Sequence, residues 1–150
     1  MEPAFDAQGP PPAGFWIRFV AVLIDSLVLF VVEFVLGVVA GLVWGGEIAE
    51  TKVFKGTVTA FMFVFGSVYY VALHTAFGQT LGKMAMKIRV VPLDGGRISA
   101  GAAILRYIGY FVSGLIVGIG YLMAGLRHDK RALHDLLAGT RVIRLGEARS

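Results

Sequence analysis

With 150 residues, 57% of them hydrophobic, and a mean hydropathy of +0.75, this chain is too apolar for an ordinary soluble domain. Its net charge of +4 comes from basic residues in loops beside the apolar segments, not from a basic patch interleaved with aromatic residues, which argues against a nucleic-acid partner. The absence of cysteine excludes disulfides and thiolate metal sites. The composition indicates an integral membrane protein whose first partner is the lipid bilayer.

The predicted fold is an all-α membrane protein with two full transmembrane helices. Residues 1–13 are rich in proline and glycine and lack the basic start of a signal peptide, so we expect a disordered tail. The first helix is predicted over Phe15–Trp44 and the second over Gly56–Phe77, because each reaches the roughly 20 apolar residues that a span requires. A third, glycine-rich segment over about 102–126 is predicted as a transmembrane or re-entrant helical segment.

The first helix carries charges inside its apolar sequence. At about 100° per residue, Arg18 and Asp25 lie on one face, two turns apart, and Glu33 lies deeper on the same side. A charge at bilayer depth costs about 2.5–3.5 kcal/mol on insertion scales, so we expect partners from other segments. Asp25 has two interpretations: a carboxylate that binds a proton or cation, with Arg18 as its electrostatic gate, or a structural ion pair that fixes helix packing.

The second helix places Ser67, Tyr70 and His74 close to one face, with Tyr70 and His74 four residues apart. Such a row could relay protons, and it could equally anchor the helix at the membrane interface. The GQTLGK sequence that follows lacks the spacing of a phosphate-binding loop, so Gly78 and Gly82 are interpreted as turn and helix-end residues.

Two short basic sequences, KIRVV and TRVIRL, predict a small β-like element at the cytoplasmic surface, with the two paired as strands. The positive-inside rule assigns the N-terminus, the loop after the second helix and the basic C-terminal tail to the cytoplasm. Three simple spans would put the loop and the tail on opposite faces. A third segment broken near Gly118 and Gly120 would bring both to the cytoplasm, and the two arrangements remain alternatives.

The third segment and the tail supply candidate partners for the charges of the first helix. If the third segment bends back, Arg106 and Asp135 gather beside Arg18 on the cytoplasmic side. A local i, i+4 pair between Arg131 and Asp135 is the simpler alternative for this carboxylate. The acids and histidines of the tail match no zinc-binding spacing, so no metal site and no cofactor are predicted.

These motifs, in this order, resemble the RDD family of bacterial membrane proteins, which is named for one arginine and two aspartates. The segment GFWIRFVAVLID supplies Arg18 and Asp25, and GQTLGKMAMKIRVV with LDGG follows. An arginine opens the third segment (Arg106), and RALHDLLAGTRVI contains Asp135, the second aspartate by this resemblance. The resemblance covers residues 14–144 and leaves 145–150 as a flexible tail. It implies a multi-pass protein of the bacterial inner membrane with a suspected transport role.

Two functions are therefore expected, and neither is enzymatic, because no catalytic arrangement stands out. The first is transport of protons, monovalent cations or a small solute through the network of Arg18, Asp25, Arg106 and Asp135. The alternative is a membrane assembly or accessory subunit in which that network is structural. Both imply a homo-oligomer or another membrane protein as partner, with the Gly37–Gly41 and Gly114–Gly118 spacings as candidate contacts.

Overall fold

The computed structural model describes residues 10–115, 119–126 and 128–146, and these residues are mostly helical. In chain order the elements are α1 (Phe15–Trp44), α2 (Gly46–Ala49), α3 (Lys52–Phe77), α4 (Leu81–Ala85), β1 (Ile88–Pro92), α5 (Ala100–Leu115), α6 (Ile119–Leu126), α7 (Leu133–Leu137) and β2 (Thr140–Arg144).

The two long helices, α1 and α3, confirm the two long apolar helices that were predicted. Both are long and apolar enough to cross a bilayer, and α1 has the predicted bounds. The α3 helix begins four residues earlier than predicted, because the Thr51 hydroxyl caps it by accepting a hydrogen bond from the Phe54 N–H at 3.2 Å. It ends at Gly78, whose φ of +68° belongs to the left-handed region that favours glycine.

The short helix α4 packs directly against α1 through Gly82. A Cβ atom built on Gly82 would lie 2.0 Å from the carbonyl oxygen of Ala21, so only glycine allows this approach. The prediction of Gly82 as a turn or helix-end residue was therefore wrong, since it is a contact residue inside a helix. Gly78 does end a helix, as predicted.

The strands β1 and β2 pair as predicted and form an antiparallel ribbon, with Val90 opposite Val142. The inward side chains of Ile88, Val90 and Val142 are buried. The chain before α1 extends this ribbon, because the Ala13 N–H donates to the Val142 carbonyl at 2.9 Å and Pro12 bridges Ile143. The predicted disordered tail over residues 1–13 therefore extends too far: residues 11–13 are ordered by β2, while residues 1–9 lie outside the described residues.

The third apolar segment contains two helices, α5 and α6, rather than one. The break was predicted near Gly118 and Gly120. Gly120 is helical within α6, whereas Gly118 lies outside the described residues, and so does the predicted contact between Gly114 and Gly118. The end of α6 reaches the start of α1, where a Cβ built on Gly125 would lie 3.3 Å from the Phe15 Cβ.

The two spans do not pack along each other's length among the described residues. Helix α1 packs mainly on α4, with smaller contacts to α2 and α6, and α3 packs mainly on α5. Large apolar side chains such as Leu27, Phe34 and Phe63 are exposed on these helices. A soluble domain would bury such side chains, so these surfaces fit the hydrocarbon of a bilayer. The buried interior lies instead at one end, around α4, α7 and the ribbon.

Candidate functional site

The carboxylate of Asp135, on α7, joins three helices. Its Oδ2 accepts hydrogen bonds from Nη1 of Arg18 on α1 and, at 3.0 Å, from the Ala132 N–H, and its Oδ1 accepts one from Nη1 of Arg106 on α5. All three charged side chains are buried. The structure thus brings Arg18, Arg106 and Asp135 together, and we call this group the Asp135 clamp.

Other donors of the clamp are engaged as well, whereas Nε of Arg106 is buried without a hydrogen-bond partner among the described residues. Arg18 donates from Nε to the Ala13 carbonyl at 2.9 Å and from Nη2 to the Lys130 carbonyl at 2.7 Å. Arg106 donates to the hydroxyl of Thr140, at the start of β2. A guanidinium suits this position because its planar fork reaches several acceptors at once while staying charged. The clamp therefore ties α1 and α5 to the chain on both sides of α7.

The two arginines determine the charge state of Asp135. Burial alone would raise the pKa of this carboxyl, but the guanidinium groups of Arg106 and Arg18 outweigh burial and hold the pKa well below its ordinary value. Asp135 is therefore ionised across the physiological pH range. It behaves as a fixed charge and has little capacity to exchange a proton.

The second buried carboxylate, Asp25, is held by neutral donors. Its Oδ1 accepts hydrogen bonds from the Tyr69 hydroxyl and the Gly82 N–H, both at 2.7 Å, and its Oδ2 accepts one from the Thr80 hydroxyl at 2.6 Å. We call these four residues the Asp25 shell. They join α1 to α3 and α4.

The shell does not include Arg18, which was predicted as the electrostatic gate of Asp25. The two residues are two turns apart, about 10 Å along the helix axis, and the Arg18 side chain is directed to Asp135 instead. Arg18 is therefore not the electrostatic gate of Asp25. The expectation that Asp25 needs partners from distant segments agrees with the shell, although these partners are hydroxyl and amide groups rather than cations.

A third buried group centres on Lys83 of α4. Its Nζ lies 2.8 Å from Nε2 of His74 and donates to the Tyr110 hydroxyl at 3.1 Å. His74 in turn donates from Nδ1 to the Tyr70 main-chain carbonyl at 2.7 Å, because a carbonyl can only accept. We call Lys83, His74 and Tyr110 the Lys83 cluster. It replaces the predicted Tyr70–His74 relay, since His74 bonds the main chain of Tyr70 and its ring stacks on the Tyr70 ring.

Two predicted residues lie outside these groups. Glu33 is exposed on α1, and no described residue forms an ion pair with it. Arg131 precedes α7, which begins at Leu133, so the helical i, i+4 pair with Asp135 does not form. Its Nε donates to the Thr140 carbonyl at 3.3 Å instead. The local alternative for Asp135 was therefore wrong.

Sequence reasoning missed six contributors to these groups. Two signals were available: Thr80 and Lys83 are polar residues in a short turn between an apolar helix and a strand, and tyrosines recur within the apolar segments. The missed residues are Tyr69, Thr80, Gly82, Lys83, Tyr110 and Thr140.

The described residues offer little to a metal ion. No group of three or more histidine, aspartate or glutamate side chains within 10–115, 119–126 and 128–146 is arranged to hold one. The oxygens of Asp25 and Asp135 are occupied by protein donors. Chemically, the arrangement can fix charges, hold helices together and, at Lys83, share a proton.

Comparison with known proteins gives a consistent identification. The family model described as "RDD family" matches residues 12–139. Uncharacterized protein YxaI of Bacillus subtilis (strain 168) is 35% identical over 147 residues, which cover 88% of this chain and 97% of the relative. Uncharacterized protein YckC of the same organism is 32% identical, covering 87% and 83%.

A third relative, "Uncharacterized membrane protein YteJ" of Bacillus subtilis (strain 168), is 28% identical and covers 87% of this chain and 80% of its own. No solved structure matches this chain significantly. The arginine of the first helix and the two aspartates that suggested the resemblance are three of the four charged residues buried in the Asp135 clamp and the Asp25 shell, and Arg106 is the fourth. The chain belongs to the RDD family.

Proposed function

We propose that this protein is a non-catalytic assembly or accessory subunit of the bacterial inner membrane, in which the arginine–aspartate network is structural. One observation carries the proposal: protein donors occupy both oxygens of both buried aspartates. A carboxylate that transports an ion must exchange partners, whereas these carboxylates hold α4 and α7 against the long helices. The network thereby holds α4, α7 and the β1–β2 ribbon together at one end of the long helices, and we call these elements the platform.

The proposed orientation has the platform and the N-terminus in the cytoplasm and the third segment as a re-entrant hairpin. Arg106 near the start of this segment shares Asp135 with Arg18, and Gly125 near its end approaches Phe15. Both ends of the segment thus meet the N-terminal end of α1. A hairpin also keeps the basic loop and the basic tail on one side of the membrane.

The proposed partner is a second copy or another membrane protein that packs on the open face of α1. Gly37 and Gly41 lie one turn apart on this helix, and a Cβ built on either would meet nothing within 4 Å. Glu33 lies one turn before them and is exposed. Small residues at this spacing allow close helix approach, and a polar side chain at bilayer depth favours a protein neighbour over lipid.

Flux and unfolding measurements on the same variants test the structural role. The purified protein is reconstituted in proteoliposomes, and proton, Na⁺ and K⁺ fluxes are followed for wild type, Asp25→Asn and, as the control carboxylate on the same helix, Glu33→Gln. We expect no flux from the wild type and a loss of stability only in Asp25→Asn. Wild-type flux that Asp25→Asn abolishes without loss of stability would overturn the proposal.

Cysteine crosslinking in membranes tests the partner face, since the natural chain has no cysteine. We expect Gly37→Cys to crosslink to a second copy or to a larger adduct, and Val39→Cys, on the opposite side of α1, not to crosslink. Equal crosslinking at both positions would contradict a docking face on α1.

The second candidate function is transport of protons or monovalent cations through Asp25. The observation that favours it is the composition of the Asp25 shell, where the Tyr69 and Thr80 hydroxyl oxygens lie within 2.7 Å of the carboxylate. Carboxylate and hydroxyl oxygens are the ligand type that hard cations take. In this function the hydroxyl groups would turn their oxygens toward the cation, and the flux assay above distinguishes the two candidates.

A further inference from the structure

The Lys83 ammonium group is buried, and no carboxylate among the described residues bonds to it. The residue is 5% exposed, and its two hydrogen-bond partners are the imidazole of His74 and the phenol of Tyr110. The carboxylate of Asp25, which favours the protonated form of Lys83, is already bound by its own shell. A buried ammonium normally has a counter-ion or loses its proton, so Lys83 calls for a different explanation from the clamp arginines.

The nitrogen atoms of Lys83 and His74 share one hydrogen-bond position. Because His74 uses the hydrogen on Nδ1 to bond the Tyr70 carbonyl, its Nε2 presents a lone pair to Lys83 Nζ at 2.8 Å. Two basic nitrogens at this distance cannot both be cationic, for the same reason that two adjacent carboxylates share a single proton. The pair therefore carries one extra proton or none.

Charged and titratable groups surround this pair on every helix packed against it. Asp25 on α1 and the Tyr110 hydroxyl on α5 favour the protonated form, whereas Arg106 on α5 opposes it. The His134 ring of α7 packs on the Tyr110 ring, with centroids 4.5 Å apart. Burial is the largest influence and lowers the pKa of Lys83, which brings its proton exchange closer to neutral pH.

We propose that Lys83 and His74 form a coupled proton-binding site, with the Tyr110 hydroxyl as its third member. The ligand is a single proton, which is held between Nζ and Nε2 and is released to solvent as the ammonium becomes an amine. The site is separate from the aspartates of the network and is compatible with either function above. Since Lys83 lies on α4, protonation acts at the helix that the Asp25 shell attaches to α1.

Nitrogen-15 NMR of histidine-labelled wild-type protein in micelles tests the site directly. The chain has three histidines, and His74 is the one whose Nε2 faces Lys83 Nζ. We expect this Nε2 to stay unprotonated at the pH where a free imidazole takes up a proton, about 6.5. Protonation of His74 Nε2 at that pH would overturn the proposal without the need for any variant.

A second measurement addresses Lys83 itself through the pH dependence of stability. A lysine whose pKa is lowered by folding binds fewer protons in the folded than in the unfolded state, so the free energy of unfolding rises with pH toward the ordinary lysine pKa of about 10.4. We expect Lys83→Met to flatten this rise and to move the His74 Nε2 signal. The control Lys87→Met, at an exposed position four residues later, should change neither. Wild-type behaviour of Lys83→Met in both measurements would exclude the coupled site.

Discussion

The Gly82→Ala substitution tests whether the contact between α4 and α1 holds the platform to the spans. The added methyl group would lie 2.0 Å from the Ala21 carbonyl oxygen and 2.9 Å from Cγ of Asp25, so α4 has to move away from α1. This movement breaks the 2.7 Å hydrogen bond from the Gly82 N–H to the Asp25 carboxylate. Both consequences follow from a single methyl group.

The cost can be estimated from these two consequences. Losing a hydrogen bond to a charged group costs about 1.5–3 kcal/mol, and overpacking costs about 1–3 kcal/mol. Alanine recovers about 1 kcal/mol over glycine in a helix. We therefore expect Gly82→Ala to lower the free energy of unfolding by about 1.5–5 kcal/mol.

The assay is reversible unfolding of the purified protein in mixed micelles by increasing denaturing detergent. Gly56→Ala on α3 is the matched control, because its added Cβ meets nothing within 4 Å and it lies outside the proposed docking face. We expect this control to remain within about 1 kcal/mol of wild type. If Gly82→Ala unfolds at the wild-type midpoint, α4 does not approach α1 as described and the reasoning fails.

Three further predictions concern the buried aspartates. Asp135→Asn leaves the guanidinium groups of Arg18 and Arg106 without their carboxylate. We expect the same assay to show a free energy of unfolding lower by about 3–5 kcal/mol, and little change for the exposed Glu33→Gln. Tyr69→Phe removes one donor to a buried carboxylate and should cost about 1.5–3 kcal/mol in that assay; a cost near zero would mean that this bond is not formed. Folding lowers the pKa of Asp135, so the stabilisation that this carboxylate contributes is present above its unfolded pKa of about 3.9 and is lost as the pH falls. We therefore expect the free energy of unfolding to fall less with acid in Asp135→Asn than in wild type.

The sequence predicted the elements that depend on local pattern. An uninterrupted apolar run determines α1, and its bounds agree with the structure. The alternation in TRVIRL and in KIRVV gives each short strand one buried face, which is why their pairing could be expected. Both properties are readable along the chain without knowledge of distant contacts.

The partners of the charges could not be read in the same way. The group of Arg18, Arg106 and Asp135 was anticipated only under the bent alternative for the third segment, and nothing along the chain decided between it and the local Arg131–Asp135 pair. Likewise the importance of Gly82 arises from the proximity of Ala21, which is distant in sequence. The prediction of an Arg131–Asp135 pair was wrong because it assumed a helix that includes Arg131, whereas α7 begins two residues later, at Leu133.

The clamp also constrains the order of events during biosynthesis. Arg18 and Asp135 are separated by 117 positions, so the first helix is made and inserted long before its acidic partner leaves the ribosome. Until α7 is made, the Arg18 guanidinium lacks this carboxylate, and a long cationic side chain near a helix end is solvated by extending toward the headgroups. Formation of the buried clamp therefore waits for the synthesis of α7.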